Sequence, residues 1–241
     1  MQLKIFNNYS LLSAAVAAEI TGLLKNKPGA VLCLASGESP KLTCKLAAES
    51  IVNEKIDCSN ITFIGLDEWV GIAPGNEGSC RHFFDTLFIG PIGLQSSQTY
   101  LFNGLSANLQ QECINMDKVI ADKGGIDLMI VGIGMNGHIG FNEPGVSFDK
   151  YSHAIDLDET TVSVGQKYFK ETMTLKQGIT LGLRHLVESK KVILLANGSK
   201  KAEVIKRAVK EKVNTHFPAT IIQQHPACVV MVDEEAAALI E

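Results

Sequence analysis

The residues best suited to chemistry lie in one run, Gly132-Ile-Gly134-Met-Asn136-Gly137-His138-Ile-Gly140-Phe-Asn142-Glu143-Pro144-Gly145. An imidazole, His138, and a carboxylate, Glu143, stand close together among glycines that let backbone approach a ligand. His138 has no apolar periodicity around it to explain it as packing, so the two read as a base and its orienter. A second acidic feature, Asp67-Glu68, closes an apolar run. If that run continues as a strand, adjacent side chains point to opposite faces. One carboxylate can then look into a cleft while the other braces a loop. A carboxylate in a cleft is a natural base for a proton α to a carbonyl.

Two further segments suit an anion. Ser36-Gly37-Glu38-Ser39 joins an apolar run to a helix start, where backbone N–H groups, hydroxyls and the helix dipole favour negative charge. Glu38 fits there only with its side chain turned away. Gly198-Ser199-Lys200-Lys201 repeats the pattern, and a lysine there can add a point charge to a phosphate. No Walker loop is present, so a single phosphate fits better than a nucleotide triphosphate. Gly132, Gly134 and Gly137 do spell the dinucleotide fingerprint. That fingerprint requires a helix to open at its third glycine. Gly140, Pro144 and Gly145 follow too soon for a long one.

These residues need strands and helices to carry them, and the chain alternates the two. Ser10 is expected to cap a helix through Leu24, with Ala14, Ala17, Ala18 and Ile20 inward. A strand over Ala30 to Ala35 leads through the Ser36–Pro40 turn into a helix from Lys41 to Val52, for which Pro40 suits the first position. Strands are expected at Ile61–Leu66, Ile126–Ile133, Val192–Ala196 and Ala227–Val232. Helices are expected at Ala107–Ala121 and Lys200–Lys210, with a short one capped by Asp233 and reaching Leu239. The pattern predicts one α/β domain over residues 1–241, three-layered and doubly wound around a mostly parallel sheet. Ligands in such folds bind beyond the carboxyl ends of strands. Ser36, Asp67, Gly134 and Asn197 all sit at such ends.

Composition narrows the function classes. The net charge of −4 and the lack of a basic block argue against nucleic acid and membrane surfaces as partners. No run approaches the ~18 apolar residues of a membrane span. The N-terminus lacks a signal-peptide core, which makes the cytoplasm the expected location. The six cysteines have irregular gaps and no C-x-x-C, so they read as free thiols in a reducing compartment. No H-x-x-x-H or H-E-x-x-H occurs, and no metal site is expected.

Leu66-Asp67-Glu68-Trp69, the Gly134 to Gly145 segment ending in Asn-Glu-Pro-Gly, and the Ser-Gly-x-Ser-Pro turn together resemble the glucosamine-6-phosphate deaminases. The similarity runs from about Ala30 to Val232. Trp69, Pro74-Gly75, Ser79-Cys80, Lys123 to Leu128 and Gly178 to Gly182 are similar to the galactosamine-6-phosphate deaminase/isomerase branch. The resemblance implies a Rossmann-like sugar-phosphate isomerase fold and a small-molecule sugar-phosphate partner, with no cofactor. It implies deaminating isomerisation of an amino-sugar 6-phosphate, with galactosamine 6-phosphate first and glucosamine 6-phosphate as the alternative.

The roles it implies are specific. Asp67 would move a proton between C2 and C1. His138 would assist ring opening, with Glu143 orienting it and Asn136 in support. Ser36, Gly37, Glu38, Ser39 and Lys201 would hold the phosphate, and Gly134, Gly137 and Lys167 would form the substrate-binding loop and lid. Three departures stand out: Asn136 where many members carry Asp, Glu38 where the turn usually has a second Gly, and Lys167 where some members use Arg. The related 6-phosphogluconolactonases usually carry Arg after the acidic pair and lack Asn-Glu-Pro-Gly. Sugar-phosphate sensor domains usually come with a helix-turn-helix, of which the first thirty residues here show no sign.

Overall fold

The computed structural model describes residues 1–240. Short runs of Val, Ile and Leu with both faces covered make parallel strands. Seven of them form the central sheet, in the spatial order β1 (Gln2–Phe6), β10 (Cys228–Asp233), β9 (Val192–Ala196), β6 (Leu128–Val131), β2 (Val31–Leu34), β3 (Thr62–Gly65) and β5 (Thr99–Tyr100). Every pairing in this sheet is parallel. Alternate strand residues feed two cores. Cys33, Met129, Leu194 and Val230 face one, while Leu32, Ile130, Ile193 and Met231 face the other.

Helices cover both faces. On one side lie α1 (Tyr9–Asn26), α2 (Glu38–Asn53), α3 (Cys80–Phe84) and, after a turn of π-helix, α4 (Gly90–Ile92). On the other lie α5 (Leu109–Asp122), α7 (Leu183–Glu188), α8 (Ala202–Lys210) and α9 (Glu234–Ala237). The remaining helix, α6 (Glu159–Gly165), lines the cavity of the candidate site. Burial of a side chain such as Leu12, Ile20, Ile205 or Leu194 stabilises the fold by about 1.5–3 kcal/mol. The three-layer, doubly wound arrangement is therefore as expected. Strand order reverses between β6 and β2, so their carboxyl ends diverge into a crevice.

Local expectations shift in four places. Asn8, not Ser10, caps α1, its carboxamide oxygen accepting from Leu11 N at 3.0 Å. The buried face is consequently Leu12, Ser13, Val16, Ala17 and Ile20, while Ala14 and Ala18 are exposed. Helix α2 starts at Glu38 because Gly37 adopts φ 116°, so Pro40 occupies the third helical position. Its missing N–H still costs nothing there, since the first turn has no internal acceptor. The two edge strands, β1 and β5, and a second, three-stranded antiparallel sheet add to the strands expected from the sequence.

That small sheet positions the chemistry. It runs β4 (Asp67–Trp69), β8 (Gln177–Thr180), β7 (His153–Asp156). After β3 the chain leaves the parallel sheet at Leu66 and pairs Asp67 with Thr180 and Trp69 with Gly178. Phe141, from the Gly-rich loop, packs on Trp69 with ring centroids 4.6 Å apart. A Cβ at Gly178 would lie 2.3 Å from the Phe141 ring, so glycine is what lets the loop settle there. Asn142 secures the same loop by donating to Leu181 O at 2.9 Å and Ile139 O at 2.8 Å.

Candidate functional site

The crevice beyond β2, β3, β6 and β9 holds one cavity, and most of the expected site residues line it. Ser36, Gly37, Glu38 and Ser39 form one wall; Asp67, Gly134, Asn136 and His138 form another; Lys167 and Lys201 close it. Two expected residues lie elsewhere. Glu143 is buried behind His138. Gly137 faces away: at φ 83°, a Cβ there would strike the Phe217 ring at 2.4 Å, and its carbonyl accepts from Ala219 N. Gly137 shapes the loop and is not part of the cavity wall.

The anion turn is an open helix end. Gly37 makes no side-chain cap to α2. The hydroxyls are committed to protein: Ser36 Oγ donates to Cys80 Sγ at 3.1 Å and Ser39 Oγ to Asn197 Oδ1 at 2.6 Å. Tyr9 holds the turn from α1, its hydroxyl donating to Glu38 O and Ser39 O while accepting from Leu42 N. Pro40 has no N–H, Leu42 N is taken by Tyr9, and the Glu38 main chain meets the Tyr168 hydroxyl, so the anion donors are the few N–H groups of the helix start that these do not take.

The second helix start corrects expectation. At Gly198 and Ser199 the N–H groups already have carboxylate partners. Asp233 accepts from Gly198 N at 2.9 Å and Glu235 from Ser199 N at 3.2 Å. A helix start capped by the protein's own acids is no anion site, and only the Lys201 side chain reaches the cavity. Its Nζ donates to Ile133 O at 2.5 Å. Burial, then repulsion from Lys167, pulls Lys201 down to about 8. A bound anion would relieve both effects and favour the charged form.

The acidic pair divides as its alternation suggested. Glu68 is buried and braces α3, accepting from Trp69 N, Cys80 N and Arg81 N at 2.9–3.0 Å. Asp67 lies in the cavity wall. Burial, then the neighbouring Glu68 charge, pushes Asp67 up to about 7, against a thiol hydrogen bond from Cys80 that lowers it.

The imidazole is held from behind. His138 Nδ1 lies 3.1 Å from Glu143 Oε2 and 3.0 Å from Thr161 Oγ1, which leaves Nε2 to meet a ligand. Asn136 donates to Glu143 Oε2 at 2.7 Å and accepts from His138 N at 3.2 Å. It thus braces the carboxylate and the backbone, not the ring. Gly134 is required because a Cβ there would lie 2.3 Å from the His138 ring. Burial alone would raise Glu143, but hydrogen bonds from His138, its charge, Thr161 and Asn136 outweigh it and hold Glu143 low.

The chain matches the family model described as glucosamine-6-phosphate isomerases/6-phosphogluconolactonase over residues 9–231. It belongs to that family. Among curated relatives, a glucosamine-6-phosphate deaminase of Thermoanaerobacter pseudethanolicus is 37% identical, with all of this chain and 95% of the relative aligned. One from Clostridium perfringens is 37% identical over the whole of both chains. A solved monomeric glucosamine-6-phosphate deaminase superposes with a TM-score of 0.95 at 32% identity, covering 99% of this chain and all of its own. The 6-phosphogluconolactonase of Trypanosoma brucei superposes at 0.81 with 17% identity, covering 100% and 98%, a likeness of fold alone.

Family membership makes the chain an enzyme and gives the cavity its context. Residues without a sequence signature complete it. Thr161, buried on α6 behind the Asp158 cap, meets His138 from 23 positions away. Tyr168, pushed up to about 12 by burial, places its hydroxyl beside Gly37. Nothing local in the chain marks either. All six cysteines are free, and no helix among the described residues is long and apolar enough to cross a membrane.

Proposed function

We propose that this chain is a deaminating aldose–ketose isomerase whose substrate is glucosamine 6-phosphate, giving fructose 6-phosphate and ammonia. The carrying observation is the pairing of Asp67, poised near neutrality, with the His138–Glu143 couple in a cavity that also holds an open helix end. In this reading the N-terminus of α2, Lys201 and Lys167 hold the phosphate. His138 Nε2 shuttles the ring hydroxyl proton as the sugar opens, and Glu143 stabilises the imidazolium that forms. Asp67 takes the proton from C2 and returns it to C1. Water then adds to the resulting C2 imine, and the C–N bond breaks to release ammonia. The reaction runs on acid–base groups of the chain, one substrate and water.

The choice of sugar departs from the branch details that pointed to galactosamine. The relatives aligned over the whole chain act, by name, on glucosamine 6-phosphate. The two sugars differ in configuration at C4, a difference that one hydrogen bond can read. Ammonia release from each sugar phosphate, measured side by side, tests the reading. A higher kcat/KM on glucosamine 6-phosphate is the expected result. Preference for galactosamine 6-phosphate reverses the sugar, and no release from either, with binding intact, sinks the deaminase.

A further inference from the structure

We propose that Cys80 is the positioning residue for Asp67, orienting its carboxylate through a thiol hydrogen bond that is directed by Ser36 of the anion turn. The inference rests on the reading of Asp67 as the base.

Cys80 opens α3 and is only 4% exposed. Its main chain is pinned, because its N–H donates to Glu68 Oε1 at 3.0 Å. Its Sγ stands 3.1 Å from Ser36 Oγ and 3.5 Å from Asp67 Oδ1, the latter an ordinary sulfur–oxygen hydrogen-bond length. A thiol has a single proton. With Ser36 donating to sulfur, that proton turns to the acidic pair. Glu68 also draws on it, but its carboxylate is already held by three main-chain N–H groups. It is Asp67 Oδ1 that stands at hydrogen-bond distance from Sγ, so a directed chain runs from hydroxyl to thiol to the Asp67 carboxylate. Among the described residues, this thiol is the one hydrogen-bond donor that reaches the Asp67 carboxylate.

The chemistry of sulfur suits the task. Burial, with the charges of Glu68 and Asp67, drives the thiol well above its usual range, so it stays a neutral donor and not a nucleophile. A thiol is a weak donor. It can fix the direction of the carboxylate lone pairs while quenching little of their basicity. A backbone N–H at the same place would stabilise the anion more strongly, as three do at Glu68. The base is also tied to the turn proposed to hold phosphate, since Ser36 belongs to that turn.

The test is the pH profile of kcat/KM for glucosamine 6-phosphate, measured on purified wild type, Cys80→Ala and Cys80→Ser with melting curves for each, and with Asp67→Asn alongside. Losing the donor makes Asp67 hold its proton more tightly, so the acid limb of Cys80→Ala should move up by about 0.4 to 1 pH unit. Cys80→Ser, with a hydroxyl donor, should bring the limb back to or below that of wild type. A limb in Cys80→Ala that superimposes on wild type, even with turnover reduced, overturns the inference. If Cys80→Ala does not fold, Cys80→Ser decides alone, and a limb above that of wild type overturns it. Turnover retained by Asp67→Asn would instead overturn the base assignment itself. An inactive Asp67→Asn with an unmoved Cys80→Ala limb removes only the role of the thiol.

Discussion

Asp67 and Glu143 serve the same cavity, and the protein drives them in opposite directions. Burial acts on both to favour the neutral acid. At Asp67 nothing offsets it but one thiol, and the adjacent Glu68 charge adds to it, so the group arrives at about 7. At Glu143 an imidazole, a carboxamide and a hydroxyl converge on the carboxylate, and it stays low. The difference teaches that burial alone does not set the charge of a carboxylate here. The balance of burial, neighbouring charge and donors does, since Glu68 accepts three main-chain N–H bonds and is still raised. It leaves one group able to accept a proton near neutral pH and the other held below the usual carboxylate range, a division of labour expected of acid–base sites.

The largest effect should come from removing the poised member. Asp67→Asn should lower the rate of ammonia release by about 10²–10⁴-fold while calorimetric binding of the sugar phosphate persists. It should also stabilise the protein selectively. Because the folded-state pKa of Asp67 is raised, folding favours its protonated form. That contribution is complete below about pH 4 and is lost as pH climbs through about 7. Asp67→Asn, always neutral, should therefore melt above wild type at pH 8 and level with it at pH 4. Equal melting differences at both pH values would break the contrast between the two carboxylates.

A smaller effect is expected at the other carboxylate. Glu143→Gln removes the charge behind His138 and should lower kcat by about 10–100-fold, the worth of a hydrogen bond to a charged group. The loss should be greater on cyclic substrate than on an open-chain analogue; equal losses would detach His138 from ring opening. The smallest change should follow Thr161→Val, which deletes one neutral donor beside His138 and Glu143. A loss of about 2- to 10-fold in kcat is expected from steady-state rates. A loss as large as that of Glu143→Gln would mean the hydroxyl matters to the imidazole as much as the carboxylate does.

Much of this was legible in the chain. Strand runs such as Val192–Ala196, the turn at Ser36–Ser39 and the breaker-rich loop after β6 are local patterns, and local patterns carry over into structure. The alternation at Asp67-Glu68 rightly separated a cavity residue from a brace. The edge strand β1 escaped notice because five half-exposed residues carry little signal until β10, more than 220 positions later, pairs with them. The Gly198–Ser199 start misled because its caps, Asp233 and Glu235, arrive from another element.

By itself, then, the sequence determined the alternation of strands and helices in an α/β fold, the Gly-rich loop that brings His138 to a strand end, and most, though not all, of the residues that line the cavity. Periodicity and turn chemistry act over a few residues, which is why they can be read without coordinates. Only the tertiary structure decided which carboxylate is poised and which is held charged, and which helix start stays open to an anion. Those outcomes combine neighbours in the chain, such as His138 and Asn136 at Glu143 and Glu68 at Asp67, with burial and with Cys80, Thr161 and the Asp233 and Glu235 caps brought from α3, α6 and the start of α9. The burial and the distant partners exist only once the layers have packed.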